Sequence, residues 1–296
     1  EVKAHDSGDN IKWGADFRTA YDNISYDMAG PGMDGKTKRG NDSLYSMRLW
    51  LNMAYAPDAN NVFKGQLSMQ KAFGADINDA FFTGRSGGGF NSFDWLNNSA
   101  LRDDSLHVRQ AYWLYLGESA FGLEMPWTFS LGRRPSTGGF LANLREDDAA
   151  QSPLGHIINV EFDGLSSKLD LSKVTGVPGM SFKICAGQGS TNATPMLSRL
   201  DGTQYSNDDN SMEDIKLGGF IFEPYNDGQI ITKATWYRAF DLPGMDMDMT
   251  APTFGSPTGF MQYGDMDGAA FSVLVDGLTE DGYLADVKAF GSVAWS

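Results

Sequence analysis

The sequence predicts an all-β protein: an antiparallel up-and-down transmembrane β-barrel with long external loops and short periplasmic turns. Three observations carry this. Successive segments of about ten residues alternate apolar and polar side chains, the period of a strand with two unlike faces. The connections between those segments alternate long and short. The composition is that of strands and turns, with 35 Gly, 19 Phe, 11 Tyr and 7 Trp. Mean hydropathy is −0.33, and no run approaches the roughly 18 apolar residues of a membrane helix. A β-barrel escapes that test because only every second residue of its strands is apolar.

The first strand signal is "IKWGADFRTAY". Ile11, Trp13, Ala15, Phe17 and Tyr21 fall on one side, and Lys12, Gly14, Asp16 and Arg18 on the other. "YSMRLWLNMAY" repeats it, with Tyr45, Met47, Leu49, Leu51, Met53 and Tyr55 against Ser46, Arg48 and Asn52. Trp50 stands on the polar side. Tyrosines at both ends of an apolar stripe fit the aromatic girdles of a membrane barrel. Residues 62–73 set Phe63, Leu67 and Met69 against Lys64, Gln66, Ser68 and Gln70. Residues 106–116 set Leu106, Val108, Tyr112, Leu114 and Leu116 against His107 and Arg109. Residues 127–134 oppose Trp127, Phe129 and Leu131 to Thr128 and Ser130.

The pattern continues at 156–163, with Ile158, Val160 and Phe162 against Asn159, Glu161 and Asp163. At 180–187, Phe182, Ile184 and Ala186 oppose Ser181, Lys183 and Cys185. Further strands are expected at 214–223, 229–240, 269–276 and 283–295. In the last, Val287, Val293 and Trp295 oppose Asp286, Lys288 and Ser292, whereas in 229–240 Arg238 shares parity with Trp236 and Phe240. The long connections are 29–42, 74–105, 135–155, 188–213 and 241–268, and the short ones 57–61, 117–126, 164–179, 224–228 and 277–282. Outer-membrane barrels sort their loops this way. A soluble β-sandwich shows the same strand pattern with its faces exchanged, and remains the competing fold.

Residues 1–9 read as a lead-in from a periplasmic segment, without a signal-peptide core, and 10–296 as the barrel. Eleven strands is an odd count, and single-chain bacterial barrels have an even one. The expectation is therefore the N-terminal part of a larger barrel, unless a twelfth strand hides in "SSKLDLSKV".

Several stretches resemble a known family: "SLYSMRLWLNMAYAPDANNVFKGQLSMQKAFGAD", "VRQAYWLYLG", "GQIITKATWYRAFDLPGM" and, most distinctively, "LGRRPSTGGFLANLREDD". The chain resembles an uncharacterised domain-of-unknown-function family of epsilonproteobacterial outer-membrane, porin-like β-barrels. That resemblance implies a longer precursor with a signal peptide, a short coiled coil before the barrel and more strands after residue 296. It transfers no catalytic residue and no substrate.

A formal charge of −15 argues against a nucleic-acid partner. One cysteine precludes an intrachain disulfide, and three scattered histidines give no His-rich metal site. "GRSGG" at 84–88 matches a nucleophile elbow but lacks its strand and helix. "GQGSTN" at 187–192 lacks the last glycine of a dinucleotide loop, and "GRRPSTGG" lacks the Lys of a phosphate loop, with Pro135 ending its strand. No enzyme chemistry and no resident cofactor are expected.

The inward set is Lys12, Asp16, Arg18, Arg48, Lys64, His107, Arg109, Glu161, Asp163, Lys183 and Asp286, because a lipid-facing Arg or Lys costs roughly 2–4 kcal/mol at mid-depth. Pore-lining roles fall to Arg18, Arg48 and Arg109. If loop 135–155 folds into the lumen, Arg134 and Arg145 facing Glu146, Asp147 and Asp148 build a charged constriction. Alternatively these groups pair with one another and fasten the loop to the wall. Acidic loops containing Asp208, Asp209, Asp265 and Asp267 could supply oxygens to Ca²⁺. "GMDMDM" at 244–249 reads as a loop tip.

The functional expectation is a bacterial outer-membrane channel for small hydrophilic solutes or ions. Its partners are then membrane lipid and the solute, with self-association left open. The competitors are a plugged structural or surface-assembly barrel, a sheath for an electron-transfer partner, and a soluble all-β domain.

Overall fold

Alternating side chains produce long strands, and turn residues reverse the chain between them. The computed structural model describes residues 11–28, 37–73, 106–136, 139–141, 144, 151–193, 206, 213–248, 256–279 and 281–296. Its strands are β1 (Ile11–Met28), β2 (Thr37–Tyr55), β3 (Asn61–Ala72), β4 (His107–Gly117), β5 (Trp127–Ser136), β6 (Gly139–Phe140) and β7 (Gln151–Leu154). There follow β8 (Val160–Asp170), β9 (Ser181–Gln188), β10 (Lys216–Asn226), β11 (Ile230–Asp248), β12 (Ser256–Asp276) and β13 (Lys288–Trp295). One helical turn, α1 (Ser172–Thr175), links β8 to β9.

Eleven of these strands form one sheet in the order β1-β2-β3-β4-β5-β8-β9-β10-β11-β12-β13. Every neighbouring pair is antiparallel and consecutive, a pure meander. The strand count matches the sequence expectation. The sheet is open, with β1 and β13 as its two edges. The pair β6–β7 is a separate parallel piece inside the connection between β5 and β8.

Polarity is reversed relative to a water-soluble sheet. Ser46, Gln66, Ser68, Ser130, Ser166, Lys233 and Ser272 are buried, while Trp13, Phe17, Tyr21, Phe63, Leu131, Trp236 and Val293 are exposed. Trp13 and Phe17 are 62% and 64% exposed, whereas Ser68 is at 1%. Register aligns the rows. Asp16 lies opposite Trp50, which lies opposite Ser68, and Phe17 opposite Leu49, which lies opposite Met69.

Aromatic rings edge the apolar face. At one end Tyr21 tilts against Tyr45 and Tyr45 stacks on Phe73, with centroids 5.0 and 6.2 Å apart. Tyr55 and Phe63 stack at the other, and Trp113, Tyr115, Phe129 and Trp127 pack together near that same end. Phe182, Phe222, Phe220 and Trp236 continue the contacts across β9–β11. Tight turns close this end with Asx geometry. Asp58 accepts the backbone N–H groups of Asn60 and Asn61, and Asp227 those of Gln229 and Ile230.

The structure corrects the sequence expectations at several points. "SSKLDLSKV" holds no extra strand; it supplies the second half of β8 and then α1. β8 runs over 160–170 rather than 156–163, and its faces are exchanged. Phe162 lies on the polar-row side with Ser166, while Asp163 pairs outward with Arg133, opposite it in register. In β4 a bulge falls at Arg109, because Gln66 opposes Gln110 but Leu67 opposes Val108. The extra residue flips everything after it. Tyr112 joins the polar rows opposite Lys64, and Trp113 joins the apolar face opposite Phe63.

Pro135 does not end its strand, since β5 continues through Ser136 with Pro135 opposite Glu161. Residues 244–248 belong to β11 rather than to a loop tip. Asp286 lies in a turn ahead of β13. The strict loop alternation fails because β1–β2 and β11–β12 are long hairpins. The 249–255 connection is thereby shorter than 277–287. The three longest connections, 73–106, 137–159 and 189–215, do leave from one end of the sheet.

The 137–159 connection folds back over the polar face. Leu154 is fully buried and clusters with Phe140, Ala270 and Leu274, with Leu141, Ile157 and Ile231 around them. Lys183 donates to Ser152 at 2.8 Å, and the Lys233 ammonium sits 5.0 Å from the Phe140 ring centre. His156 Nε2 meets Ser292 on β13 at 3.0 Å. The connection thus reaches from β5 across β9, β11 and β12 to β13.

Candidate functional site

Strand alternation places most of the chemistry-bearing side chains in rows on the polar face, whereas Arg109 stands at a bulge and Glu161 at the start of β8. On β1–β4 the centre is Trp50. The Arg48 guanidinium lies 3.5 Å from its ring centre and that of Arg109 4.5 Å, so the indole is flanked by two cations. This explains a tryptophan on the polar parity of β2. Its Nε1–H donates to Ser68 Oγ at 3.1 Å. Arg48 pairs with Asp16 at 3.0 Å. Arg109, the bulge residue, donates to Gln66 at 2.7 Å and meets Glu161 at 3.4 Å. Gln66 in turn donates to Asn52 at 2.7 Å. Both members of the Arg109–Glu161 pair are buried, and Glu161 is at 0% exposure.

A second cluster spans β5, β8 and β9. Arg134 donates through Nη1 to Ser130 and Ser166 at 2.7 and 3.2 Å, and those hydroxyls contact each other at 2.9 Å. The Arg134 guanidinium also lies 4.5 Å from the Tyr112 ring centre. Lys183 faces the same cavity from β9. A third cluster holds Lys233 and Glu223 at 2.9 Å, with Ser181 donating to Glu223 at 3.5 Å. Between the folded-back connection and β10–β12 lies an apolar cavity of about 270 Å³, lined by Ile158, Val160, Ile215, Leu217, Tyr237 and Leu242 among others.

The predicted residues distribute as follows. Arg18 opposes Arg48 in register on the polar face, and Lys12, Asp16, Lys64, His107 and Lys183 share that face. Arg48, Arg109 and Arg134 sit in the clusters above. Arg145, Glu146, Asp147 and Asp148 lie outside the described residues, as do Asp208, Asp209 and residues 84–88. Asp265 and Asp267 both grip Arg238, at 2.9 and 3.3 Å. A guanidinium therefore takes the carboxylates that were expected to offer oxygen to calcium. Arg238 does share parity with Trp236 and Phe240, and these acids neutralise it there.

Sequence reasoning missed Glu223, the Ser130–Ser166 pair and the role of Trp50. Lys233 was readable in principle, since Lys233, Thr235 and Tyr237 alternate with Ala234 and Trp236, but Arg238 masked the pattern.

Residues 38–296 match a family described as a protein of unknown function (DUF3373). The chain belongs to the DUF3373 family. No curated protein matches it. The match spans nearly all of β2 through β13, and so takes in the three polar clusters apart from Asp16 on β1, together with the folded-back connection. Membership therefore attaches to the part of the chain that carries the candidate site, and brings no assigned activity with it.

Proposed function

We propose that this chain forms the wall of a transmembrane β-barrel in a bacterial outer membrane and acts as a channel for small hydrophilic solutes or ions. The observation that carries the reading is the reversed polarity of the sheet. Exposed Trp13, Phe17, Phe63, Leu131 and Val293 need an apolar solvent, while the Ser, Gln, Arg and Lys rows need a wet or self-paired interior. Dimensions agree. From Tyr45 to Tyr55, a rise of about 3.3 Å per residue and a tilt of about 40° give an apolar band roughly 25 Å tall, the height of a barrel's lipid belt. The open edges of β1 and β13 are then the seams at which a barrel closes, since lipid tolerates no unpaired strand edge.

On this reading the 137–159 connection lies in the lumen and narrows it. Mixed charge along the wall, with Arg48–Asp16 and Lys233–Glu223, suits a hydrated path, and the buried Arg109–Glu161 pair is internally compensated. A second reading, a plugged structural barrel, draws on the complete burial of Leu154 beneath that connection.

The test is single-channel recording of the full-length protein in a planar bilayer, with reversal potential measured in a salt gradient. Stable steps with ion preference establish a pore. Insertion without steps turns the reading to the plugged barrel. Solubility without detergent removes both.

A further inference from the structure

Lys168 and Lys183 stand directly opposite each other across β8–β9. Like charges in that position destabilise a sheet, and nearby groups make the site more cationic still. Lys183 feels the charges of Arg134, Lys168 and Lys233. Lys233 has its own counter-ion in Glu223. Asp170 follows Lys168 on the same side of β8 and feels its charge without forming a salt bridge, its carboxylate being held by the backbone N–H and hydroxyl of Ser172. Among the described residues, no carboxylate forms an ion pair with Arg134, Lys168 or Lys183.

Hydroxyl groups stand where acids would be expected. Arg134 Nη1 reaches Ser130 and Ser166, and Lys183 reaches Ser152 on the folded-back connection. Arg134, Ser136, Ser152, Ser166, Lys183 and Cys185 share the lining of a cavity of about 30 Å³. That volume admits about two water-sized groups, the size of a carboxylate or of two phosphate oxygens. A guanidinium has five N–H donors and an ammonium three, so most of the donor capacity here is unspent. Hydroxyls next to two cations are donors that a bound anion can recruit as well.

We infer that Arg134 and Lys183 form a binding site for a small oxyanion, whose oxygens supply the negative charge that the surrounding strands withhold. The assignment rests on the channel reading for how the anion arrives, and it names the solute class as phosphate- or carboxylate-bearing.

The experiment is titration of the full-length protein in detergent with inorganic phosphate at constant ionic strength, read by ³¹P line broadening and calorimetry. The wild type is expected to saturate. Lys183→Met and Arg134→Gln should each weaken phosphate binding by about tenfold or more, and Lys183→Arg should stay within about threefold of wild type. Arg134→Gln stands in if Lys183→Met does not fold. Absence of saturation in the wild type, or equal affinity in folded Lys183→Met, overturns the site. Bilayer recording separates this from the channel itself. Saturable binding without conductance keeps the anion site and removes the pore, while conductance without phosphate binding does the reverse.

Discussion

Leu49→Arg tests which solvent the apolar face meets. Leu49 lies on the exposed-apolar side of β2, between Phe17 and Met69 in register. It stands four residues from Tyr45 and six from Tyr55. At about 3.3 Å per residue and a tilt of about 40°, that is roughly 10 Å from one aromatic ring row and 15 Å from the other. An arginine there sits near mid-depth and costs about 3 kcal/mol, a hundredfold or more in the folding equilibrium. Asn52→Arg, three residues along on the polar face, forfeits the hydrogen bond from Gln66. That is worth about 1 kcal/mol, and the new charge stays among polar groups. The assay is urea titration of folding into lipid vesicles, followed by heat-modifiable electrophoretic mobility. Leu49→Arg should shift the equilibrium far more than Asn52→Arg. Equal tolerance would refute the facing assignment. A Leu49→Arg protein that is more soluble and equally stable without lipid would refute the membrane reading, because a water-exposed arginine costs nothing.

Three further outcomes are expected. Glu161→Gln removes one charge of the buried Arg109–Glu161 pair and should lower stability by about 3–5 kcal/mol, visible as an earlier urea midpoint. Gly132→Ala places a methyl group 2.3 Å from the Ala111 carbonyl oxygen at a residue with φ of +126°. Strain of this kind costs about 1–3 kcal/mol, and thermal melting reads it. In the turn after β10, the backbone N–H of Ile230, and next the Tyr225 hydroxyl, hold the Asp227 carboxyl below its usual range. A lowered folded-state value means the stabilisation is whole above the unfolded carboxylate range and fades as pH falls through the folded value. Asp227→Asn should therefore lower stability at neutral pH, converge with the wild type at low pH, and so flatten the acid limb of the stability–pH curve.

How legible the structure was depends on what each strand's side chains serve. The inner part of β2, from Tyr45 to Tyr55, and β9 read correctly because one face is mainly apolar and the other mainly polar, so period two survives in the sequence. β4 failed after Arg109, because a bulge inserts one residue and leaves no chemical mark in a run such as "RQAYWLYL". β8 failed for another reason. Ile158 and Val160 alternate like strand residues, but they line the apolar cavity beneath the folded-back connection and so serve a local core. The outer reaches of β1, β2, β11 and β12 extend beyond the aromatic rows. There, nothing selects one face over the other, and segments such as "TKRGND" look like loop. Of the candidate site, the arginines were readable from the cost of charge on an apolar face. Their partners were not, since the Arg109–Glu161 contact joins residues 52 positions apart and Arg109 sits at a bulge that the sequence does not mark.

The connection from β5 to β8 that returns over the sheet also bears on the order of assembly. In the main sheet every strand pairs with the next sheet strand in sequence, so the meander can be laid down strand by strand, with longer loops to close at 73–106, 137–159 and 189–215. The His156–Ser292 contact is different, because it joins residues 136 positions apart. It cannot form until β13 has docked, whereas the Lys183–Ser152 contact needs only β9. The connection is thus a latch set in stages, early on β9, then on β11 and β12, and last on β13. A chain arrested before the last stage would hold a nearly complete sheet whose returning connection is not yet fastened to its edge strand.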